Sequence, residues 1–296
     1  MGHIFNLTCI YSFSIVVFLC IFFFFRDLNL AQSISKNLIQ DANALLTFKL
    51  SLTSGGENLT SWNSSSISTI CTSWEGVQCS YLSNTPTRVQ KLVLPRKVLL
   101  GSIPTATLST LDAMDTLNLK SNLLYGPIPN DLTNCHSLCV LSLGENDLSG
   151  SLVDNINFSL WPRLQLLDLY SNSFIGPIPP SITCLTNLSI LDLGGNNFTG
   201  PIPQISSNTL QYFDVSDNML EGMIPKSLSS FTKSSFNGNL NLCGEPLSSC
   251  PPSPSPLTLI SPYGIMPIEP NHSNHIRGLE VIASQILLAL FLTWTI

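Results

Sequence analysis

An α/β solenoid of about six stacked turns, closed at both ends by cysteine-bearing caps, is the fold class that this sequence predicts. Three observations predict it: a glycine-centred phrase that recurs at a near-constant period, an alternating leucine phrase ahead of each copy, and two close cysteine pairs that bracket the array. The glycine phrase, L-x-G-x-I-P, reads Leu99-Leu100-Gly101-Ser102-Ile103-Pro104 at its first occurrence and Leu220-Glu221-Gly222-Met223-Ile224-Pro225 at its last. Further copies centre on Gly126, Gly176 and Gly200, and a degenerate copy without the proline centres on Gly150. Successive glycines lie 25, 24, 26, 24 and 22 residues apart. A period of this size means stacked units, none of which buries its apolar face without its neighbours.

The second phrase, L-x-L-x-x-N, appears as Leu117-x-Leu119-x-x-Asn122, and again ending at Asn146, Asn172 and Asn196; Phe213-x-Val215-x-x-Asn218 continues it. Period-two alternation marks a short strand with its apolar side chains on one face. The asparagine then turns the chain, and its amide can satisfy backbone groups of neighbouring turns that would otherwise be buried without partners. Lys97 stands at this position in the first turn, where the ladder begins. The strands are expected to line one concave face and the I-P segments the opposite wall, where proline suits an extended, non-ladder position.

The flanking segments differ in character. Residues Ile10 to Phe25 are almost wholly apolar and Ala31-Gln32 is a plausible cleavage point, so 1–31 reads as a secretory signal peptide. Residues 38–87 form the N-terminal cap, 88–232 the repeats and 233–250 the C-terminal cap. The Pro- and Ser-rich stretch 251–278 reads as an extended stalk. Residues 279–296 are apolar and carry two readings. They form a spanning helix of near-minimal length, or a removable signal for a glycolipid attached near Asn271. Cys71 with Cys79 and Cys243 with Cys250 look like disulfides of an oxidising compartment. A zinc reading is weaker, because neither pair has metal-site spacing and no histidine lies near. Cys135, Cys139 and Cys184 are expected to be buried free thiols.

The caps make a resemblance specific. Ala42-Asn43-Ala44-Leu45-Leu46-Thr47-Phe48-Lys49, Leu59-Thr60-Ser61-Trp62-Asn63 and Cys71-x-x-Trp74-x-Gly76-Val77-x-Cys79 resemble the N-terminal cap of plant leucine-rich-repeat receptors. Ser235-Phe236-x-Gly238-Asn239-x-x-Leu242-Cys243-Gly244-x-Pro246-Leu247 with Cys250 is similar to that family's C-terminal cap, and the L-x-G-x-I-P phrase to its plant-type repeat. The resemblance covers about residues 38 to 250 and is nearest to the short-ectodomain branch of receptor-like kinases. It implies a plant-type leucine-rich-repeat arc with disulfide-bonded caps, a first helix over the Ala42 phrase, and cysteines bridging beneath the tryptophan. The family's kinase domain is not matched: no Gly-rich phosphate loop, H-R-D phrase or D-F-G phrase occurs in these 296 residues.

Function follows from composition and surface. A net charge of −6 argues against a nucleic-acid partner, and no nucleophile elbow or metal-ligand cluster suggests an enzyme or a cofactor. Sequons at Asn58, Asn63, Asn157, Asn187, Asn197 and Asn271 fit an exported glycoprotein; Asn197, next to a ladder asparagine, is expected to be the least accessible. Strand residues between the buried leucines should face the concave surface. The candidate partner contacts there are Lys91, Lys120, Tyr170, Tyr212, Asp168, Asp192 and Asp214. They run from basic early turns, which also hold Arg88, Arg96 and Lys97, to acidic later ones, a gradient that would orient a partner. Exposed tyrosines favour contact, whereas Asp between strand leucines is common in such receptors and equally fits a solvated or structural role. Together with these features, the resemblance implies a kinase-less receptor-like protein on the extracellular face of the plasma membrane. It would bind a protein or peptide ligand, or a co-receptor ectodomain, and signal through a partner kinase. The alternatives are an extracellular inhibitor or wall-associated binding protein, and a truncated receptor kinase.

Overall fold

The structure is a computed structural model that describes residues 37–83, 85–205 and 208–251. The signal-peptide segment, the Pro/Ser-rich stretch beyond residue 251, the apolar tail and Asn271 lie outside the described residues.

A helix over 37–51 opens the described chain and turns Ala42, Leu45 and Phe48 into the core, the spacing of one helical face. Behind it Trp62 and Trp74 stack with ring centroids 5.5 Å apart. Trp62 Nε1 donates to the Glu75 carbonyl (2.9 Å) and Trp74 Nε1 to Ser66 Oγ (2.8 Å), so both buried indoles are satisfied. The Cys71–Cys79 disulfide ties the short helix Ile70–Ser73 to the strand Val77–Leu82, which pairs antiparallel with Thr85–Val93. Asp41, fully buried on the helix, accepts Arg88 Nε (2.9 Å) and Nη2 (2.7 Å) and the Val89 amide (2.8 Å). Arg88 also pairs with Asp112. This fork fastens the cap helix to the first repeat strand.

From Thr85–Val93 onward each turn adds one parallel strand to an inner sheet: Thr116–Asn118, Val140–Ser142, Leu166–Asp168, Ile190–Asp192 and Tyr212–Asp214, in chain order. The register aligns Leu92, Leu117, Leu141, Leu167, Leu191 and Phe213 in one buried row. A second seven-stranded sheet lies on the other side of the ladder. It runs from Leu100–Gly101 through Leu123–Gly126, Asp147–Ser151, Ser173–Pro177, Asn197–Gly200 and Met219–Met223 to Asn241–Cys243. The sequence pattern places only the I-P segments on that wall. The structure instead puts the residues before them in a parallel ladder, because past each asparagine the chain runs extended beside its copy one turn away. Alternate side chains there (Leu124, Leu148, Phe174, Phe198, Leu220) enter the core. The repeat glycines lie at or next to the ends of these strands with positive φ, Gly126 at 79° and Gly150 at 91°, where a Cβ is strained. Pro129, Pro179 and Pro225 then precede the 3₁₀ turns Asn130–Asn134, Pro180–Cys184 and Lys226–Leu228.

Between the two sheets runs the asparagine ladder. Asn196 Nδ2 donates to the carbonyls of Leu169 (3.0 Å) and Leu193 (3.1 Å), while its Oδ1 accepts the Phe174 amide (3.1 Å). Asn122, Asn146, Asn172 and Asn218 repeat this arrangement one turn at a time. Asn239, read from sequence as a cap residue, is a further rung: it bonds Val215 O, Phe236 O and the Leu220 amide. The last turn therefore serves as both repeat and cap, with Phe236 and Phe231 on Phe213 and the Cys243–Cys250 bond beyond. Each short disulfide loop is worth roughly 2–3 kcal/mol in chain entropy.

The degenerate turn replaces its I-P with the short helix Leu152–Asn155 and fills the space with Phe158 and Trp161, 5.9 Å apart. The three remaining cysteines are not equivalent, which corrects the expectation of three buried thiols. Cys135 is buried in the column of Leu111, Trp161 and Leu185, each of which follows a 3₁₀ turn, and burial pushes its thiol up to about 12. Cys139 is half-buried. Cys184 is exposed, because it sits one residue ahead of that column and Leu185 takes the core position.

Asn196→Ala should lower the unfolding free energy by about 2–4 kcal/mol in urea titrations, since it strands two carbonyls and an amide in the interior. Asp41→Ala should cost about 3–5 kcal/mol by leaving Arg88 without its buried partner. A loss below 1 kcal/mol in either variant would contradict the role assigned to that residue.

Candidate functional site

The inner sheet presents its solvent face as three rows of side chains. The first, one residue ahead of each buried leucine, holds Lys91, Thr116, Val140, Leu166, Ile190 and Tyr212 in register. The second, between the strand leucines, holds Val93, Asn118, Ser142, Asp168, Asp192 and Asp214. The third follows the second leucine of each phrase from the second turn on: Lys120, Gly144, Tyr170, Gly194 and Ser216. Parallel pairing thus brings together residues that are about 24 positions apart in sequence.

Charge on this face is distributed unevenly. Lys120 reaches across one whole turn to Asp168 Oδ2 (3.0 Å), stands 3.7 Å from Glu145 Oε1 and lies 6.0 Å above the Tyr170 ring. It can do so because the turn between carries Ser142 and Gly144. A Cβ on Gly144 would fall 2.5 Å from Asp168 Oδ1. Ser142 Oγ donates to the same carboxylate (3.0 Å), and Asp168 keeps only 8% of its surface exposed. Burial alone would lower the Lys120 pKa, but the hydrogen bond and charge of Asp168, with Glu145 and Asp192 behind, hold it above the ordinary value. Lys120 and Asp168, both singled out as partner contacts, are therefore each other's partner.

Asp192 and Asp214 differ. Asp192 accepts the Gly194 amide (3.2 Å) and the Tyr212 hydroxyl (3.3 Å), and Asp214 accepts the Ser216 amide (2.7 Å). Among the described residues no Lys or Arg makes an ion pair with either. Burial, reinforced by the charges of Asp168 and Asp214, pushes Asp192 up to about 6. Tyr212, held among the same carboxylates, is pushed up to about 12, first by burial.

At the basic end, Arg88 is taken up by Asp41 and Asp112 and Lys97 by Glu75, so with Lys120 three of the early cations are neutralised within the fold. Lys91 stays half-buried in the first row and joins none of these pairs. Tyr170 and Tyr212 are 41% and 45% exposed, as a contact role requires. Sequence reasoning passed over the apolar row Val140, Leu166 and Ile190 as a contact surface. Its signal was present in the apolar residue ahead of three consecutive strand leucines. The sequons Asn58, Asn63, Asn157 and Asn187 are exposed; Asn197, expected to be hindered, is exposed as well, since its side chain points away from the ladder on an outer strand. None of the five belongs to an inner strand.

A capped parallel solenoid with an open, in-register sheet face is the architecture of a leucine-rich-repeat domain. The Leucine rich repeat N-terminal domain model matches residues 38–80, and the Leucine Rich Repeat model matches 163–185, 187–208 and 209–231. A probable inactive receptor kinase of Arabidopsis thaliana is 44% identical over 233 residues, which is 77% of this chain and 34% of that protein. The crystal structure of a Pollen Receptor Kinase 3 is 34% identical, with a TM-score of 0.59 over 69% of this chain and 96% of that one. That of the BIR3–SERK2 complex from Arabidopsis thaliana is also 34% identical, with a TM-score of 0.51 over 70% and 97%. The chain belongs to the plant leucine-rich-repeat receptor family and has the fold of its ectodomains. It spans about a third of the length of the inactive receptor kinase it matches. Among the described residues no helix is long and apolar enough to cross a membrane.

The raised Asp192 predicts a pH dependence. The folded state holds this proton more tightly than the unfolded chain, whose carboxyl titrates near 3.8. The benefit is complete below the unfolded value and is lost as pH rises through about 6. Asp192→Asn should therefore raise stability by about 1 kcal/mol at pH 7.5, or about 2–4 °C in Tm, after solvent screening is counted. The gain should vanish at pH 3, below both values. Melting curves at the two pH values check the sign.

Proposed function

We propose that the chain is a cell-surface receptor-like protein whose inner sheet face binds a peptide or the ectodomain of another receptor. In this reading any signal passes through a partner kinase. One observation carries the reading. The inner face is continuous in register over six turns, combines an apolar row with unpaired carboxylates and exposed tyrosines, and bears no sequon. Surfaces built this way are recognition surfaces: aromatic and apolar anchors supply affinity, and the polar rows supply register. The relatives support it, since one is a probable inactive receptor kinase and another structure is a complex of BIR3 with SERK2. In this reading the segment 1–31 directs export and the exposed sequons carry glycans. The tail 279–296 serves as a membrane anchor, either as a spanning helix or by exchange for a glycolipid near Asn271, and holds the solenoid at the outer face of the plasma membrane.

The test uses the full chain in plant cells with proximity crosslinking and mass spectrometry. Leu166→Arg or Ile190→Arg should reduce capture of a receptor kinase at least ten-fold while leaving the protein folded and at the surface. Undiminished capture would overturn the inner-face reading. Binding and effect that persist for a soluble chain, with no kinase partner, would favour an extracellular inhibitor or wall-associated binding protein. Release by phosphoinositide-specific phospholipase would identify the glycolipid form of the anchor.

A further inference from the structure

The Lys120 contact is an internal template for what the later turns lack. In the earlier slot, a third-row residue (Lys120) leans over a glycine (Gly144) toward a second-row carboxylate two turns on (Asp168). Two turns later the same positions hold Tyr170, Gly194 and Asp214. Tyr170 leans over Gly194, where a Cβ would meet its ring at 3.4 Å and Asp214 Oδ1 at 3.0 Å. The second slot thus keeps the glycine opening and the carboxylate and adds a second one, Asp192, in register beside Asp214. It has an aromatic face in place of the ammonium. In-register carboxylates on neighbouring strands stand about 5 Å apart, so they repel one another until a cation is shared between them. Immediately beside them, Leu166 and Ile190 form an adjacent apolar pair in the first row.

We propose that this slot takes a basic, extended segment of a partner protein. Its lysine or arginine lies at the solvent rim of the slot, by Asp192 and Asp214 and against the Tyr170 ring, and a neighbouring apolar side chain rests on Leu166 and Ile190. The assignment rests on the inner-face reading above and specifies the chemistry of its ligand. Charge complementarity selects the occupant. The carboxylates already accept backbone amides and one hydroxyl, and the strongest remaining partner for a pair of them is a cation that also gains from an aromatic face. The first slot shows that this surface accommodates such a group. The apolar pair excludes a bare small cation as the complete ligand and calls for a side chain attached to the same backbone. Affinity should rise with pH as Asp192 ionises. The titratable or charged groups that face it are Asp168, Asp214, Tyr212 and Lys120.

The full chain is titrated into fluorescent octapeptides of alternating Lys-Leu, Glu-Leu and Ser-Leu, read by anisotropy. The Lys-Leu peptide should bind at least ten-fold tighter than the other two, and several-fold tighter at pH 7.5 than at pH 5. Asp192→Asn with Asp214→Asn should bring it to the Ser-Leu level. Lys120→Gln, which frees Asp168, should tighten it several-fold. Asp147→Asn with Glu221→Gln on the outer sheet should change nothing, whereas an equal loss there would show attraction by net charge alone and overturn the proposal. Equal binding of Lys-Leu and Glu-Leu peptides overturns it too. If Ser-Leu binding then persists and is abolished by Ile190→Arg, the inner-face reading stands and only the cation assignment falls. If Ile190→Arg alters neither peptide binding nor receptor capture, both fall.

Discussion

Everything in this fold depends on satisfying the backbone at the inner corner of each turn. A solenoid of this period folds its chain back every twelve or so residues, and each reversal drives carbonyls and amides into an interior with no water to solvate them. One buried amide side chain per turn solves this. It donates to a carbonyl in its own turn and to one in the turn before, and accepts an amide from the outer strand of the preceding turn. Asparagine fits that corner with two donor hydrogens and an acceptor on a short stem; a serine or threonine hydroxyl has one donor, aspartate would place a charge against two carbonyls, and glutamine would overshoot. The ladder couples neighbouring turns directly, so the stability of each is shared with the next, as in other linear repeat folds. It also sets the left-handed backbone one residue earlier, at Ser121, Glu145, Ser171 and Asp217.

A ladder open at both ends would expose its leucines and leave two sheets unpaired, and the caps meet this differently. The N-terminal cap adds an antiparallel hairpin to the inner sheet and locks its helix down with a buried charged fork between Asp41 and Arg88. The C-terminal cap borrows the repeat's own device, a final asparagine rung followed by one more outer strand. One end relies on a specific ion pair, the other on continuing the repeat until a disulfide stops it.

The open inner face follows from what the scaffold leaves over. Because the buried rows are set by the leucines, the rows between them are free to vary, and they vary here in an ordered way. Three early cations, Arg88, Lys97 and Lys120, are paired with acids of the same chain, while Asp192 and Asp214 keep only neutral hydrogen-bond partners. Gly144 leaves a gap through which Lys120 reaches Asp168 on the turn after, and at Gly194 the missing Cβ leaves room for the Tyr170 ring and Asp214 to close in from either side. The charge pattern of this face is therefore decided by triplets of turns rather than by single repeats.

Most of the architecture was legible in the sequence, since its determinants are local and repeated: strand alternation, the turning asparagine, the glycine phrase and the two cysteine pairs each occupy a few residues. The placement of Tyr170, Tyr212 and the three aspartates on the side of the inner sheet opposite the buried leucines followed from the same alternation. The outer parallel sheet, the extra rung at Asn239 and the exposure of Cys184 were not legible. The first needs the stacking offset between turns, the second lies inside a cap phrase that masks its spacing, and the third turns on a one-residue phase against the core column. By itself the sequence determined the period, the stack and which residues face the open side, because periodicity alone dictates these. Only the tertiary structure decided which of the facing charges are free. Arg88 finds Asp41 across 47 positions and Lys120 finds Asp168 across 48, through a gap left by one glycine. Such pairings depend on side-chain reach across stacked turns, a distance that no local pattern encodes.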